Sequence, residues 1–257
     1  MTRLLEAVGR AVIRLLEELG LFFQMLGRFA FWAVRPPYDF PELFRQMVRV
    51  GVDSVPVCFL TTLFTGMVMA LQTFNGFRRF HAESFVGSVV ALSLTRELSP
   101  VLTAFMVTGR VGSAMAAELG TMRVTEQIDA MTALATEPVQ YLVVPRVTAS
   151  ILMMPPLVIM GDAVGILGGY LVAVQLMGAN PVSYIDNSFQ YLEIGADIVP
   201  GLIKAAAFGL VFSLIACLRG YNTTGGAEGV GRATTRAVVA GSLTILLVDF
   251  FLTKLLK

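Results

Sequence analysis

Hydrophobic residues fill five long stretches of this chain, and more polar segments separate them. A transmembrane helix needs roughly 20 consecutive apolar residues, whereas helices in soluble cores are usually shorter. The pattern therefore predicts an all-α integral membrane protein that crosses the bilayer five times. The predicted spans are Val52–Asn75, Ser84–Gly120, Val139–Met177, Ile198–Leu218 and Ala237–Leu256.

The second and third predicted spans are longer than a bilayer crossing requires. Long helices of this kind tilt, extend beyond the membrane or break, and proline is a common cause of a break. If these spans break, the sequence favours positions near Pro100 and near Pro155-Pro156.

The segment Met1–Val34 has a pattern typical of a helix that lies in the membrane interface, and Pro36-Pro37 ends it. From Leu4 onward, apolar residues recur at helical spacing with Arg and Glu between them, and Trp32 closes the pattern. Such a helix buries one face in lipid and leaves its charged face in water. The alternative is a sixth span, Leu19–Val34, which is short for a crossing. The chain thus divides into an interfacial (elbow) helix region, 1–50, and a transmembrane domain, 51–257.

Composition also indicates a membrane protein. Hydrophobic residues make up 56% of the 257 residues and charged residues 14%, against about 25% charged residues in a soluble domain. The net charge of +1 gives no reason to expect a nucleic-acid partner. Cys58 and Cys217 fall inside predicted spans, where buried thiols are a better interpretation than a disulfide or a metal site.

Basic residues predict the orientation, because cytoplasmic loops are enriched in Lys and Arg. Arginines are concentrated before the first span and recur in the links after the second and fourth spans, whereas the segment between Gly178 and Pro200 has none. We therefore expect a cytoplasmic N-terminus and, after five spans, a C-terminus on the outer side. Lys254 and Lys257 would then lie on the outer side, against this rule, but two lysines do not outweigh the arginines on the cytoplasmic side.

Several charged residues lie inside the predicted spans, where ionisable groups are costly and usually face a bundle interior or a wet cavity. Arg96 and Glu97 lie deep in the second span, and Asp162, Lys204 and Asp249 lie in the third, fourth and fifth. One interpretation is a polar cavity open to the outside. The other is structural pairing, with Lys204 and Asp249 as a buried ion pair. We expect this pair to be structural, and Arg96 and Glu97 to be functional.

The sequence lacks the motifs of an enzyme or of a self-contained ATPase. The phosphate-binding motif G-x-x-x-x-G-K-[ST] is absent, and no lysine of the chain follows a glycine. His81 is the only histidine, which argues against a histidine-based metal site or catalytic triad. We expect a non-catalytic protein that holds no metal.

The link between the second and third spans predicts a short amphipathic helix on the cytoplasmic side. Val124, Ile128 and Met131 recur at i, i+4 and i+7, with Glu126 and Asp129 on other faces. Such a helix suits a groove on a partner protein. The alternative is a connecting helix that lies on the membrane.

Several sequence blocks resemble the MlaE/YrbE permease family. The first three are LTRELSP (Leu94–Pro100), GRVGSAMAAELG (Gly109–Gly120) and MRVTEQIDAM (Met122–Met131), and two more are GRATTR (Gly231–Arg236) and LVDF (Leu247–Phe250). The resemblance covers the chain from about Val52 to its end, and the combination of blocks is highly specific.

The resemblance implies the membrane subunit of an ABC transporter that works with MCE proteins. Such transporters move phospholipid between the inner and outer membranes of a diderm bacterium and maintain outer-membrane lipid asymmetry. The implied partners are a second copy of this chain in a homodimer, a cytoplasmic ATPase on each copy, a hexameric periplasmic MCE protein and a STAS-domain protein. ATP and Mg²⁺ would be used by the ATPase, and this chain would bind no cofactor. The implied location is the bacterial inner membrane, with the C-terminus in the periplasm.

The resemblance also implies two sites. By analogy, a coupling helix within residues 122–136 docks on the ATPase, and its candidate residues are Thr125, Glu126, Gln127, Ile128, Asp129 and Met131. The lipid pathway would lie between two copies on the outer side, and its candidate residues are Met69, Phe74, Phe77, Phe80, Arg96 and Glu97. The alternative for these aromatic residues is an interfacial belt.

Two other functions compete with phospholipid transport. A permease of the same fold could import a sterol or another apolar lipid, and the neighbouring partner genes would separate the two. A stand-alone secondary transporter or channel would be supported by an inverted repeat between the halves of the chain, and we detect none in this sequence.

Overall fold

A computed structural model describes residues 2–256, including their side chains except at positions 2–8, 10, 11, 14 and 15. Every regular element in that range is helical, and short 3-10 and π segments join several α-helices into longer continuous stretches. The α-helices are α1 (Thr2–Ala33), α2 (Phe40–Val50), α3 (Val55–Phe77), α4 (Val86–Ser93), α5 (Ser99–Val107), α6 (Ser113–Val124), α7 (Gln127–Ala133), α8 (Val144–Tyr170), α9 (Pro181–Gln190), α10 (Val199–Tyr221) and α11 (Gly226–Leu255).

Five helical stretches within residues 2–256 are long and apolar enough to cross a membrane. This confirms the predicted all-α membrane fold with five spans. Helix α1 is not among them, so the described chain does not support a sixth span at Leu19–Val34. The five are span 1 (Phe40–Phe80), span 2 (Glu83–Val124), span 3 (Val139–Leu176), span 4 (Ile194–Tyr221) and span 5 (Gly226–Leu255).

Span 1 begins earlier than the predicted start at Val52, because α2 continues through a 3-10 turn into α3. Asp39 starts α2 by accepting a hydrogen bond from the Glu42 backbone N–H at 3.1 Å. Helix α2 carries two arginines and a glutamate, which lower its hydropathy, but it buries Gln46 and Val50 against α8. Hydropathy alone therefore misses the first turns of this span.

Span 2 contains two π-helical segments, Leu94–Leu98 and Thr108–Gly112, and remains one continuous helical stretch. The first ends directly before Ser99 and Pro100, where proline supplies no N–H for a helical hydrogen bond. The predicted irregularity near Pro100 is therefore a π segment inside a continuous helix. No break occurs at Pro155-Pro156, where α8 runs without interruption. Membrane helices tolerate such prolines when neighbouring groups satisfy the freed carbonyls.

Spans 3 and 4 form the centre of the bundle. Helix α8 packs against α3 and α10, and α10 also packs against α6 and α11. The contact between α3 and α8 depends on Gly66, because a Cβ atom there would lie 1.9 Å from the Gly165 carbonyl oxygen. Helix α11 instead leaves an apolar face exposed, formed by Val239, Leu243, Leu246, Leu247, Phe250 and Phe251.

Helix α1 packs on the end of the bundle that carries α7. Met25 is buried in one cluster with Ile128 and Val139, and Arg28 forms an ion pair with Glu137. Part of the apolar face of α1 is thus covered by protein. Its placement in a membrane interface stays a prediction.

Candidate functional site

Charged side chains from spans 2, 4 and 5 meet around Lys204, which is only 2% exposed. Its Nζ donates hydrogen bonds to Glu97 Oε2 at 2.5 Å, to Thr253 Oγ1 at 2.7 Å and to the Arg96 carbonyl oxygen at 3.3 Å. An ammonium group has three donors, so these contacts use all of them. Asp249 Oδ1 lies 3.1 Å from Nζ as a further negative charge. We refer to Glu97, Lys204, Asp249 and Thr253 as the charge network.

Two local features bring Lys204 to this position. Pro100 has no N–H, so the Arg96 carbonyl four residues earlier lacks the donor that an α-helix would supply there, and Lys204 donates instead. Gly201, one turn before Lys204, lets α10 approach the π segment of span 2 closely. A Cβ atom at Gly201 would lie 2.4 Å from the Thr95 carbonyl oxygen.

Glu97 is a closer partner of Lys204 than the predicted partner Asp249. The Thr253 hydroxyl contacts both Lys204 and Glu97, because its Oγ1 lies 2.7 Å from Lys204 Nζ and 3.1 Å from Glu97 Oε1. Asp249 and Thr253 are one turn apart on α11, which explains why both reach the same lysine. The network thus places Glu97, expected in the lipid pathway, in contact with the predicted buried pair.

Arg96, which we expected to be functional and not part of a structural pair, is also paired within the chain. Its Nε donates to Asp197 Oδ1, and Asp197 is 1% exposed. Asp197 Oδ2 accepts from the Glu193 backbone N–H at 2.8 Å. Asp197, which directly precedes the predicted start of the fourth span at Ile198, is not identified from the sequence. The only feature of the sequence that could have indicated Asp197 is its position directly before an apolar stretch.

The Arg96 side chain remains 52% exposed. Among residues 2–256, its terminal guanidinium nitrogens have no hydrogen-bond partner. Arg96 lines a cavity of about 270 Å³ whose wall combines charged groups and small or apolar side chains. Its lining is Arg96, Glu97, Gly195, Ala196, Pro200, Lys204, Thr253 and Leu256. A guanidinium fork beside an ordered carboxylate–lysine network can bind a phosphate or carboxylate group at this position.

The four apolar candidates for the lipid pathway do not line this cavity. Phe74 is buried, and Met69 and Phe77 pack in the same cluster, which includes residues of α4 and α9. Phe80 is 79% exposed in the 3-10 turn after α3. Within one chain, therefore, the structure does not bring these residues together with Arg96 and Glu97.

Asp162 lies apart from the charge network as well. It lines a larger and almost wholly apolar cavity of about 540 Å³ between α8, α9 and the π segment that precedes α10. Ile166, Tyr170 and Phe189 contribute to its wall. The structure therefore does not place Asp162 with Glu97, Lys204 and Asp249 in one polar cavity, which was one interpretation of these charges.

The predicted amphipathic helix of the cytoplasmic link appears as α7, which is shorter than the predicted segment. Glu126 adopts a left-handed conformation with φ 60°, and this separates α7 from α6, which ends at Val124. Ile128 is buried in a cluster with Leu119 and Val139, and Met131 packs against it. These contacts fix the position of α7 on the bundle.

The other face of α7 is open to solvent. The side chains of Thr125, Glu126, Gln127 and Asp129 are exposed, and Asp129 pairs with Arg123. Leu134 directly follows α7 and is 79% exposed. A short polar face with an exposed leucine, anchored by one buried isoleucine, is suited to contact with another protein.

Comparison with known proteins identifies a family that this chain resembles. The family described as Permease MlaE matches residues 43–255. A probable ABC transporter permease protein of Rickettsia bellii is 48% identical over 249 residues, which are 97% of this chain and 96% of that protein. The intermembrane phospholipid transport system permease protein MlaE of Haemophilus influenzae is 38% identical, covering 98% of this chain and 97% of that protein. The chloroplastic protein TRIGALACTOSYLDIACYLGLYCEROL 1 of Arabidopsis thaliana is 43% identical, covering 81% of this chain and 59% of that protein.

Proposed function

The chain belongs to the MlaE permease family, and from this premise we propose that it is the membrane subunit of an ABC transporter that moves phospholipid between the inner and outer membranes of a bacterium. Its place is the inner membrane. The observation that carries the proposal is the cavity beside the charge network, where Arg96 presents open N–H donors next to a lysine held by two carboxylates.

This cavity has the chemistry that a phospholipid headgroup requires. A phosphodiester is an anion with acceptor oxygens, and an arginine fork binds such a group with two parallel hydrogen bonds. Asp197 holds the Arg96 side chain through Nε and leaves the terminal nitrogens available. Charged residues inside membrane spans commonly mark a substrate pathway.

The charge network also supplies a means of gating. Lys204 has three donors but four acceptor groups within 3.3 Å: Glu97, Asp249, Thr253 and the Arg96 carbonyl. A shift of span 5 against span 2 can therefore exchange the partner of the lysine without leaving its charge unpaired. Such exchange lowers the cost of moving between two arrangements of the spans.

Energy for transport comes from a separate ATPase subunit. The sequence has no phosphate-binding motif of its own, and α7 presents an exposed polar face between spans 2 and 3. We assign Thr125, Glu126, Gln127, Asp129 and the supporting Ile128 and Met131 to ATPase coupling. ATP and Mg²⁺ belong to that partner, and this chain performs no catalysis.

A second copy of the chain completes the transporter. The exposed apolar face of α11 includes Phe250 and Phe251, which lie between Asp249 and Thr253 in the same helical turn. A dimer through this face sets the two charge networks near one another and closes a lipid pathway between the copies, to which Met69, Phe74, Phe77 and Phe80 contribute. The remaining partners are a hexameric periplasmic MCE protein and a STAS-domain protein, and the C-terminus is periplasmic.

Purification of the tagged chain from its native membrane tests this function. We expect mass spectrometry to find an ATPase subunit with a phosphate-binding motif, an MCE protein and enriched phospholipid. Enrichment of a sterol or another apolar lipid over phospholipid would favour the alternative cargo. Recovery of the chain with no ATPase subunit under conditions that keep the membrane complex intact would contradict the ABC assignment.

A further inference from the structure

A third pocket, of about 210 Å³, lies at the other end of spans 4 and 5. It is formed where α10 ends and α11 begins, with α1 along one side. The helical rise places Arg219 about 22 Å along α10 from Lys204, so this pocket is separate from the charge network. Three arginines line it, Arg219, Arg232 and Arg236, and we refer to it as the arginine pocket.

The positive charge of the arginine pocket is only partly compensated within the chain. Arg219 makes two hydrogen bonds to the Glu18 carboxylate, at 3.0 and 3.2 Å. Arg232 pairs with Glu228 at 3.0 Å, but the two side chains are 57% and 80% exposed, and pairs of this kind contribute little. Arg236 makes no ion pair or hydrogen bond to any described residue.

The close spacing of two of these arginines on α11 favours the binding of an anion. Arg232 and Arg236 are one turn apart on α11 and both line the pocket, and like charges at this spacing repel each other. An anion bound between them removes the repulsion and accepts hydrogen bonds from both guanidinium groups.

The backbone at the start of α11 adds to this attraction. The helix begins after Gly225, which has φ 91°, and no side chain caps its first N–H groups. Arg232 Nη2 lies 3.3 Å from the position that a Gly225 Cβ would occupy, so the guanidinium lies over this glycine turn. The N-terminus of a helix carries a partial positive charge and favours anions, and here it adjoins the arginines.

The pocket also has an apolar edge, supplied by Leu21 of α1 and Leu218 of α10. A phosphate-binding surface beside apolar side chains matches an amphiphile better than a free ion. Basic pockets between transmembrane helices bind the headgroups of anionic lipids. We propose that the arginine pocket binds the phosphate group of an anionic phospholipid as a resident ligand, distinct from the lipid that is transported. Its occupancy ties α1 to spans 4 and 5.

Native mass spectrometry of the full chain in detergent tests this site with phosphatidylglycerol, phosphatidylcholine of the same acyl chains, and inorganic phosphate. The variant is Arg232→Gln/Arg236→Gln. The matched control is Arg35→Gln/Arg45→Gln, which removes two exposed arginines outside the pocket. We expect phosphatidylglycerol to bind wild type and control more tightly than phosphatidylcholine. The pocket variant should lose about tenfold in affinity for phosphatidylglycerol, the scale of one charge-assisted hydrogen bond.

Three results would overturn the proposal. Equal affinity of wild type and pocket variant for phosphatidylglycerol would show that the arginines do not bind it. Full competition by inorganic phosphate at equal concentration would assign the pocket to a free anion. Unchanged lipid binding with loss of a copurifying protein would make this surface a protein contact.

Discussion

Lys204 Nζ lies 2.5 Å from Glu97 Oε2, although the two residues are 107 positions apart in the chain. This contact ties span 4 to span 2, and Asp249 and Thr253 extend it to span 5. A lysine with 2% exposure would be very costly inside a membrane bundle if it lacked these partners. The charge network therefore connects spans 2, 4 and 5 and also forms the polar wall of a cavity.

Replacing the lysine should strongly destabilise the protein. Lys204→Met leaves Glu97 and Asp249 without their shared cation, and loss of one partner of a buried ion pair costs about 3–5 kcal/mol. We expect a clear drop in the thermal unfolding temperature measured in detergent. The triple variant Lys204→Met/Glu97→Gln/Asp249→Asn should recover most of it. Lys254→Met, at an exposed position near the same end of α11, serves as control. Additive losses in the triple variant would mean that the three residues do not act together.

Transport should require the guanidinium group of Arg96 and not only its positive charge. Arg96→Lys keeps a cation next to Asp197 but removes the guanidinium fork. We predict normal yield and unfolding temperature, with phospholipid transport reduced about tenfold, the scale of one lost charge-assisted hydrogen bond. Arg96→Ala should lower both the unfolding temperature and transport, because it leaves the buried Asp197 carboxylate without its cation. Full transport by Arg96→Lys would show that the fork has no role in binding the headgroup.

The contact between α3 and α8 should tolerate no side chain at Gly66. In Gly66→Ala the new methyl group meets the Gly165 carbonyl oxygen, and overpacking of this kind costs about 1–3 kcal/mol. Gly76→Ala is the matched control on the same helix, because nothing lies within 4 Å of its Cβ position. Thermal unfolding should separate the two variants. Equal unfolding temperatures would contradict the close packing of these spans.

The exposed face of α7 should govern the ATPase. Glu126→Lys/Asp129→Lys reverses two exposed charges without touching the buried anchor Ile128. We expect the folded chain to lose its ATPase subunit in pull-down, or to keep it while ATP hydrolysis no longer drives transport. Glu17→Lys/Asp186→Lys makes the same charge change at exposed positions outside α7. If the α7 variant assembles and transports like this control, α7 is only a connection between spans.

The five spans were predictable because each consists of a long apolar stretch, and hydropathy depends on nothing but local composition. Helix α2 was not predictable as part of span 1. Its charged residues lower the local hydropathy, although the helix packs on α8. The π segment before Pro100 was also not predictable from the local pattern of hydrophobic and polar residues. It changes which faces of span 2 carry Arg96 and Glu97, and the pattern alone gives no sign of the extra residue.

The partners of the charged residues were predictable only in part. Lys204 and Asp249 are evident candidates because both interrupt apolar spans. Their contact with Glu97 depends on the rotation of span 2 and on the close approach at Gly201, neither of which composition determines. Asp197 lies at a helix boundary, where an acidic residue usually faces solvent, and its burial follows only from the packing of span 4 against span 2.

The most direct test of the lipid pathway is ATP-dependent phospholipid transfer by the complex of this chain with its ATPase in proteoliposomes. Glu97→Gln removes the charge that Lys204 contacts most closely, and Lys254→Met is the control. A hydrogen bond to a charged group contributes about 1.5–3 kcal/mol, and each 1.4 kcal/mol is about tenfold. We therefore predict that Glu97→Gln lowers the transfer rate about tenfold or more, while assembly with the ATPase and transfer by the control stay at wild-type levels. Transfer by Glu97→Gln at the wild-type rate, or equal transfer with and without ATP, would contradict this account.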